Sequence, residues 1–219
     1  MIYQCYHSMQ YPKEELRIRI IEVAKKEFIL MGYLRASLRK IARDAGMTTG
    51  GIYTYFSSKE DIFNSIVEKV VKKMENRYEF FLSISGLENR LLTGQHSYDF
   101  DYPCTNYRFL ISFVNLYREE LILLFFKSQG TRYADYDQKL AGAALHSAKK
   151  ILVRLPSMDH YAGNRISDFF LMNMINFNLN LIHDMLLQEK SLEEMLQYEE
   201  EISSFFYNGW RGVLRQYSA

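Results

Sequence analysis

The chain has 219 residues, a formal net charge of +1 and 24% charged residues, which suits one modest core with a small appended domain. Residues 1–60 hold ten Lys and Arg against six Asp and Glu, leaving 17 against 20 in the rest. A basic head on a mildly acidic body fits a protein that meets phosphate at one end only. No run of about 18 apolar residues occurs, so no membrane span is expected. The opening MIYQCYHSMQYP lacks the basic and apolar regions of a signal peptide, so a cytoplasmic protein is expected. Cys5 and Cys104 form neither a CxxC nor a metal-ligand pattern, and no disulfide is expected.

Residues 1–11 read as a tail. Pro12 then fits the start of a helix through KEELRIRIIEVAKKEFILM, with Glu14 and Glu15 in the first turn, where the helix dipole favours anions. Leu16, Ile20, Val23, Ala24 and Phe28 make its buried stripe, and Gly32 ends it. Arg17 and Arg19 are either phosphate contacts or solvated surface charges. Ser37 is placed to cap a second helix whose apolar face is Leu38, Ile41, Ala42 and Ala45. Gly46 supplies the left-handed residue that closes it. Thr48 caps a third helix running to about Tyr55, with Thr49, Gly51 and Thr54 outward and Tyr53 and Tyr55 near its end. Two short helices joined by a tight turn are the arrangement that lays a second helix in the major groove of DNA. Small hydroxylated residues and glycines there let backbone N–H groups approach phosphate.

The run AGMTTGGIYTYFSSKEDIF resembles the recognition-helix signature of the tetracycline-repressor (TetR) family of bacterial transcriptional regulators. Ile20, Ala24, Phe28, Gly32, Tyr33, Ile41 and Ala42 extend the resemblance, which covers roughly Glu15 to Ile66. Ala36 stands where the family often has threonine, which makes Ser37 the cap, and Gly51 stands where a larger side chain is common. The resemblance implies an all-α fold, with a helix-turn-helix domain over residues 1–57 and a ligand-binding and dimerisation domain over 58–219. Ser37 and Thr48 are expected to anchor phosphates, and Arg39 and Thr49 to reach base edges across the Gly51 face. Arginine can pair two bonds to guanine. Tyr53 and Tyr55 are expected to clamp the DNA backbone, with Lys59 matching a lysine that the family uses in that way.

Ser57 or Ser58 caps the next helix, whose apolar positions Ile62, Phe63, Ile66, Val70 and Met74 carry it to about Ser83. The periodicity then fails between Ile84 and Cys104, where Tyr98, Phe100 and Tyr102 either close over a cavity or belong to a loose connector. Helices follow over about 106–117, 119–127 and 135–154, with Gly130 as a break and Pro156 as a stop. Two long helices complete the chain, over about 164–188 and 192–216. No alternating strand pattern stands out, so the fold class is all-α.

The final pair of helices predicts a homodimer. In the first, Phe169, Met172, Leu179, Ile182 and Leu186 form one stripe and Phe170, Met174, Phe177, Leu181 and Met185 another. A helix apolar on two faces must bury both. In the second, Gly209 and Gly212 stand among Phe205, Phe206, Trp210 and Val213. Glycine inside a helix costs roughly 1 kcal/mol against alanine, which close approach of another helix would offset. A two-fold dimer would set its reading helices about 34–36 Å apart on a near-palindromic operator. Asn173, Asn176, Asn180 and His183 make a polar stripe that could line a ligand cavity, face solvent, or seam the dimer. Phe109, Phe113, Tyr117, Leu145 and Phe177 are the remaining candidates to line a pocket.

No histidine spacing argues a metal site, and no nucleophile–base pair, carboxylate pair or glycine-rich phosphate loop argues an enzyme or a cofactor. The expected function is a transcriptional repressor that a small apolar or aromatic effector releases from its operator. A DNA-binding regulator whose larger domain only dimerises or docks a protein stays open beside it, with an all-α enzyme as a remote third reading.

Overall fold

A computed structural model describes residues 13–75, 107–154, 166–188 and 190–216. The 84–104 segment, both cysteines, Pro156 and the extension of the fourth helix to Ser83 lie outside the described residues. Among the described residues every regular element is helical: α1 Lys13–Arg35, α2 Leu38–Asp44, α3 Thr49–Ile52, α4 Lys59–Glu75, α5 Tyr107–Leu116, α6 Arg118–Phe126, α7 Tyr136–Arg154, α8 Asp168–Leu187, α9 Leu192–Gln197 and α10 Glu199–Arg215. None is long and apolar enough to cross a membrane.

The head is built on α1. Ile20, Ala24 and Phe28 are buried along one stripe, while Leu16 and Val23 are half-buried at its margins. Gly32 takes φ 72°, outside helical space, so the regular helix stops there and Tyr33–Arg35 turn away. Phe28, Tyr33 and Phe63 pack as an aromatic trio with centroids 5.3–5.9 Å apart, joining α1 to α4. Aromatic pairs of this kind, two of the three edge-to-face, add about 0.5–1.5 kcal/mol each to the burial itself.

Helix α4 carries one broad apolar face, wide enough to meet two neighbours. Its buried residues Ile62, Phe63, Ile66, Val67, Val70, Val71 and Met74 pack on α1 and on α6. Further ties cross from head to body. Lys25 on α1 reaches Glu119 at 2.6 Å and Glu120 at 2.8 Å in the first turn of α6. Burial of Lys25 opposes its charge, but the two carboxylates outweigh that and hold its pKa above the ordinary value. The Tyr33 N–H donates to the Lys127 carbonyl at 2.9 Å, and the Arg132 N–H to Glu60 at 3.1 Å. The α6–α7 turn, with Gly130 at φ 87°, thus touches both α1 and α4.

In the body, α5 packs on α9 and α10 while α8 packs on α5, α6 and α7. The predicted helix over 164–188 begins later, because Ser167 caps it by accepting the Phe170 N–H at 3.1 Å. The predicted helix over 192–216 is two helices that meet at Tyr198. Ser191 and Glu194 form a capping box that starts α9, and Tyr198 ends it. Asn178, buried on α8, accepts from the Tyr107 hydroxyl at 2.5 Å and donates to the Met174 carbonyl. It lies off the predicted asparagine stripe, and only the distant Tyr107 explains an amide there.

Candidate nucleic-acid interface

The reading face is assembled from short-range bonds. Ser37, in extended conformation, accepts the Lys40 N–H at 3.4 Å and starts α2. Ala42, Ile41 and Ala45 seat that helix on the head core. Gly46 takes φ 77°, and a Cβ there would stand 3.5 Å from the Arg19 guanidinium, which lies over the turn. The Gly46 and Met47 N–H groups return to the Arg43 and Ala42 carbonyls, closing the turn. Thr48 then accepts the Gly51 N–H at 3.0 Å and starts α3.

Helix α3 ends at Ile52, earlier than the predicted Tyr55. The Thr54 hydroxyl takes the Gly51 carbonyl at 2.8 Å, and the Thr54 and Tyr55 N–H groups bond three residues back. That tightens the last turn beyond α-helical pitch. Ile52 and Phe56 are buried and pin α3 to the core, with the Arg17 guanidinium 5.0 Å over the Phe56 ring. What remains outward is Thr48, Gly50, Tyr53 and Thr54, while Thr49 and Gly51 are half-buried. Tyr53 is 56% exposed, whereas Tyr55 packs partly on the core. Ser37 and Arg39 on α2 are exposed as well.

Lys59 stands apart from its predicted role. Its ammonium donates to the carbonyls of Tyr33 at 2.8 Å, Ala36 at 3.2 Å and Leu34 at 3.4 Å. It also sits 4.5 Å over the Tyr33 ring, and burial pulls its pKa below the usual lysine value. Its three donors are therefore spent on the end of α1.

Of the predicted pocket residues, Phe109, Phe113 and Tyr117 form a run of ring contacts along α5 and just past its end. Asn173, Asn176 and Asn180 are exposed on α8, as is Phe177, whose ring meets Phe206 edge-on at 5.4 Å and lies tilted 6.4 Å from Phe205, and Phe109 is exposed on α5. Phe113, Tyr117 and Leu145 are half-buried. A cleft of about 400 Å³ lies elsewhere, between α4 and the start of α7, lined by Val71, Lys72, Arg132, Tyr133, Tyr136 and Lys139 among others. The predicted dimer residues also divide. Phe169, at 81% exposed, Phe205, at 64%, Gly209 and Gly212 face outward and Met172 is half-buried. Leu179, Ile182 and Trp210 are buried in the protomer's own core. On α8, Leu179 and Ile182 face inward because that side of the helix packs on neighbouring helices of the same chain.

A buried apolar frame carrying two short capped helices and an outward face of hydroxyls, an arginine and a tyrosine is a helix-turn-helix DNA-binding head. Residues 20–66 match the family model of the bacterial regulatory proteins of the tetR family. Over these residues the head is similar to that of the TetR family of bacterial transcriptional regulators. The chain is 34% identical over 89 residues to the uncharacterized HTH-type transcriptional regulator YfiR of Bacillus subtilis, covering 37% of this chain and 43% of YfiR. It is 42% identical over 55 residues to the regulator AcrR of Shigella flexneri, covering 25% of this chain and 26% of AcrR. The match thus spans less than half the length of these relatives. Among solved structures, NalD, the secondary repressor of the MexAB-OprM multidrug efflux pump in Pseudomonas aeruginosa, is 19% identical, with a TM-score of 0.49 over 85% of this chain and 95% of NalD.

Proposed function

We propose that the whole protein is a homodimeric transcriptional repressor that leaves a near-palindromic operator when a small apolar or aromatic effector binds its larger domain. The observation that carries the DNA-binding part is the outward face of α2 and α3, with Arg39, Thr48, Tyr53 and Thr54 presented to solvent above a fully packed core. Arg39 reads base edges, Ser37 and Thr48 lie against phosphate, and Tyr53 clamps the strand beyond. Thr49, Gly51 and Tyr55 take part through close backbone approach and support. Lys59 acts by holding the end of α1 beneath them.

The effector reading is supported by the way head and body are tied. The cleft between α4 and α7 contains Arg132, whose backbone is bonded to Glu60 in the first turn of α4. A ligand wedged there would move α4, and with it the spacing of paired heads. It would act by preferring one dimer state over the other. Phe169, Phe205, Gly209 and Gly212 on the outer side of α8 and α10 support the dimer.

The test uses a duplex enriched by the wild-type protein from a random-sequence library. Arg39→Ala with Tyr53→Ala is expected to weaken binding to that duplex at least a hundredfold, about 2.7 kcal/mol, given that one bidentate base contact carries about 1–3 kcal/mol. Unchanged affinity would remove these side chains from the interface.

A further inference from the structure

Among the described residues Glu27 is the only charged side chain that is buried, at 4% exposed. Both of its oxygens serve α2. One accepts the Ser37 N–H at 3.3 Å, and the other takes the Lys40 ammonium at 2.6 Å. Lys40 also reaches Asp44 at 3.2 Å, and its pKa is raised by its bonds to Glu27 and then to Asp44. These two attachments bracket Arg39, which is exposed between them.

We propose that Glu27 is a positioning residue for DNA recognition, fixing the start of α2 beside Arg39 and holding the Lys40 charge away from phosphate. The proposal rests on the DNA-binding reading above. In helix-turn-helix proteins the first helix of the motif crosses the DNA backbone. A free lysine on such a helix strengthens binding to any sequence, because phosphate contacts carry no sequence information. Tied to a core carboxylate, that lysine becomes part of the frame. Binding then depends more heavily on Arg39 and α3. An apolar residue at 27 would fill the same space but leave the Ser37 N–H without its partner and Lys40 with only its surface i,i+4 partner Asp44, a weak tether.

Glu27→Gln separates the two roles, since the amide oxygen still accepts from Ser37 while the ion pair is lost. The experiment measures affinity by fluorescence anisotropy across a salt series for wild type, Glu27→Gln, Lys40→Met and the double variant. The probes are a mixed-sequence duplex and the duplex enriched by the wild type. On the mixed-sequence duplex Glu27→Gln is expected to steepen the slope of log K against log salt by about 0.9, one further neutralised phosphate. Its preference for the enriched duplex should fall. Lys40→Met alone should keep the wild-type slope, and the double variant should return to it. A wild-type slope in Glu27→Gln, or one shallower by about 0.9 in Lys40→Met alone, would overturn the proposal. If Glu27→Gln does not fold, Lys40→Met decides alone, since that side chain is 44% exposed. Wild-type protein that binds neither duplex would remove the DNA-binding reading itself, a result distinct from unchanged slopes in protein that binds.

Discussion

Lys59 shows how one side chain changes role once its distant neighbours are known. Chain position alone puts it at the start of α4, facing where DNA would lie. Its ammonium instead closes three carbonyls at the end of α1, from 23 to 26 residues away. Lys59→Met should lower stability by roughly 1–3 kcal/mol, the range for lost bonds to a charged donor, read as a melting point lower by several degrees. A melting point within a degree of wild type would show that these carbonyls are satisfied without it. Ser37, Gly46 and Thr48 were legible from sequence because each acts within three or four residues of itself. Glu27 and Lys59 were not, because their partners belong to other elements.

Elements were legible where a local signal ends them. Gly32, Gly46 and Gly130 all stand at breaks, each with positive φ. Two boundaries carry no such signal: α3 stops at Ile52 through bonds three residues back, and Tyr198 divides an apparently continuous C-terminal helix. Periodicity shows α8 apolar on two faces but cannot say which of them meets the chain's own core. Leu179 and Ile182 turned out to be inward. The α6–α7 turn touches α1 and α4 at once. At Gly130 the backbone has φ 87°, and a Cβ would stand 2.3 Å from the Leu34 Cδ2. Leu34 is exposed and can move, so left-handed strain dominates, and Gly130→Ala should cost roughly 1–2 kcal/mol. Thermal melting checks this, and a stabilised variant would contradict the strain argument.

At the scale of the whole molecule, the head is anchored to the body by Lys25 with Glu119 and Glu120, by Tyr33 with Lys127, and by Glu60 with Arg132. These ties join the body to α1, on which α2 packs, and to the first turn of α4. Composition already hinted at the division, with its basic first 60 residues, but the cleft was invisible because α4 and α7 are far apart in sequence. Hydrogen–deuterium exchange with and without the enriched duplex reports most directly on whether α2 and α3 form the DNA-contacting surface. Amides from Ser37 to Phe56 should gain protection when the duplex is added, while exchange over α8 and α10 stays as it was. Protection confined to the body, with those head amides exchanging as fast as before, would contradict the account.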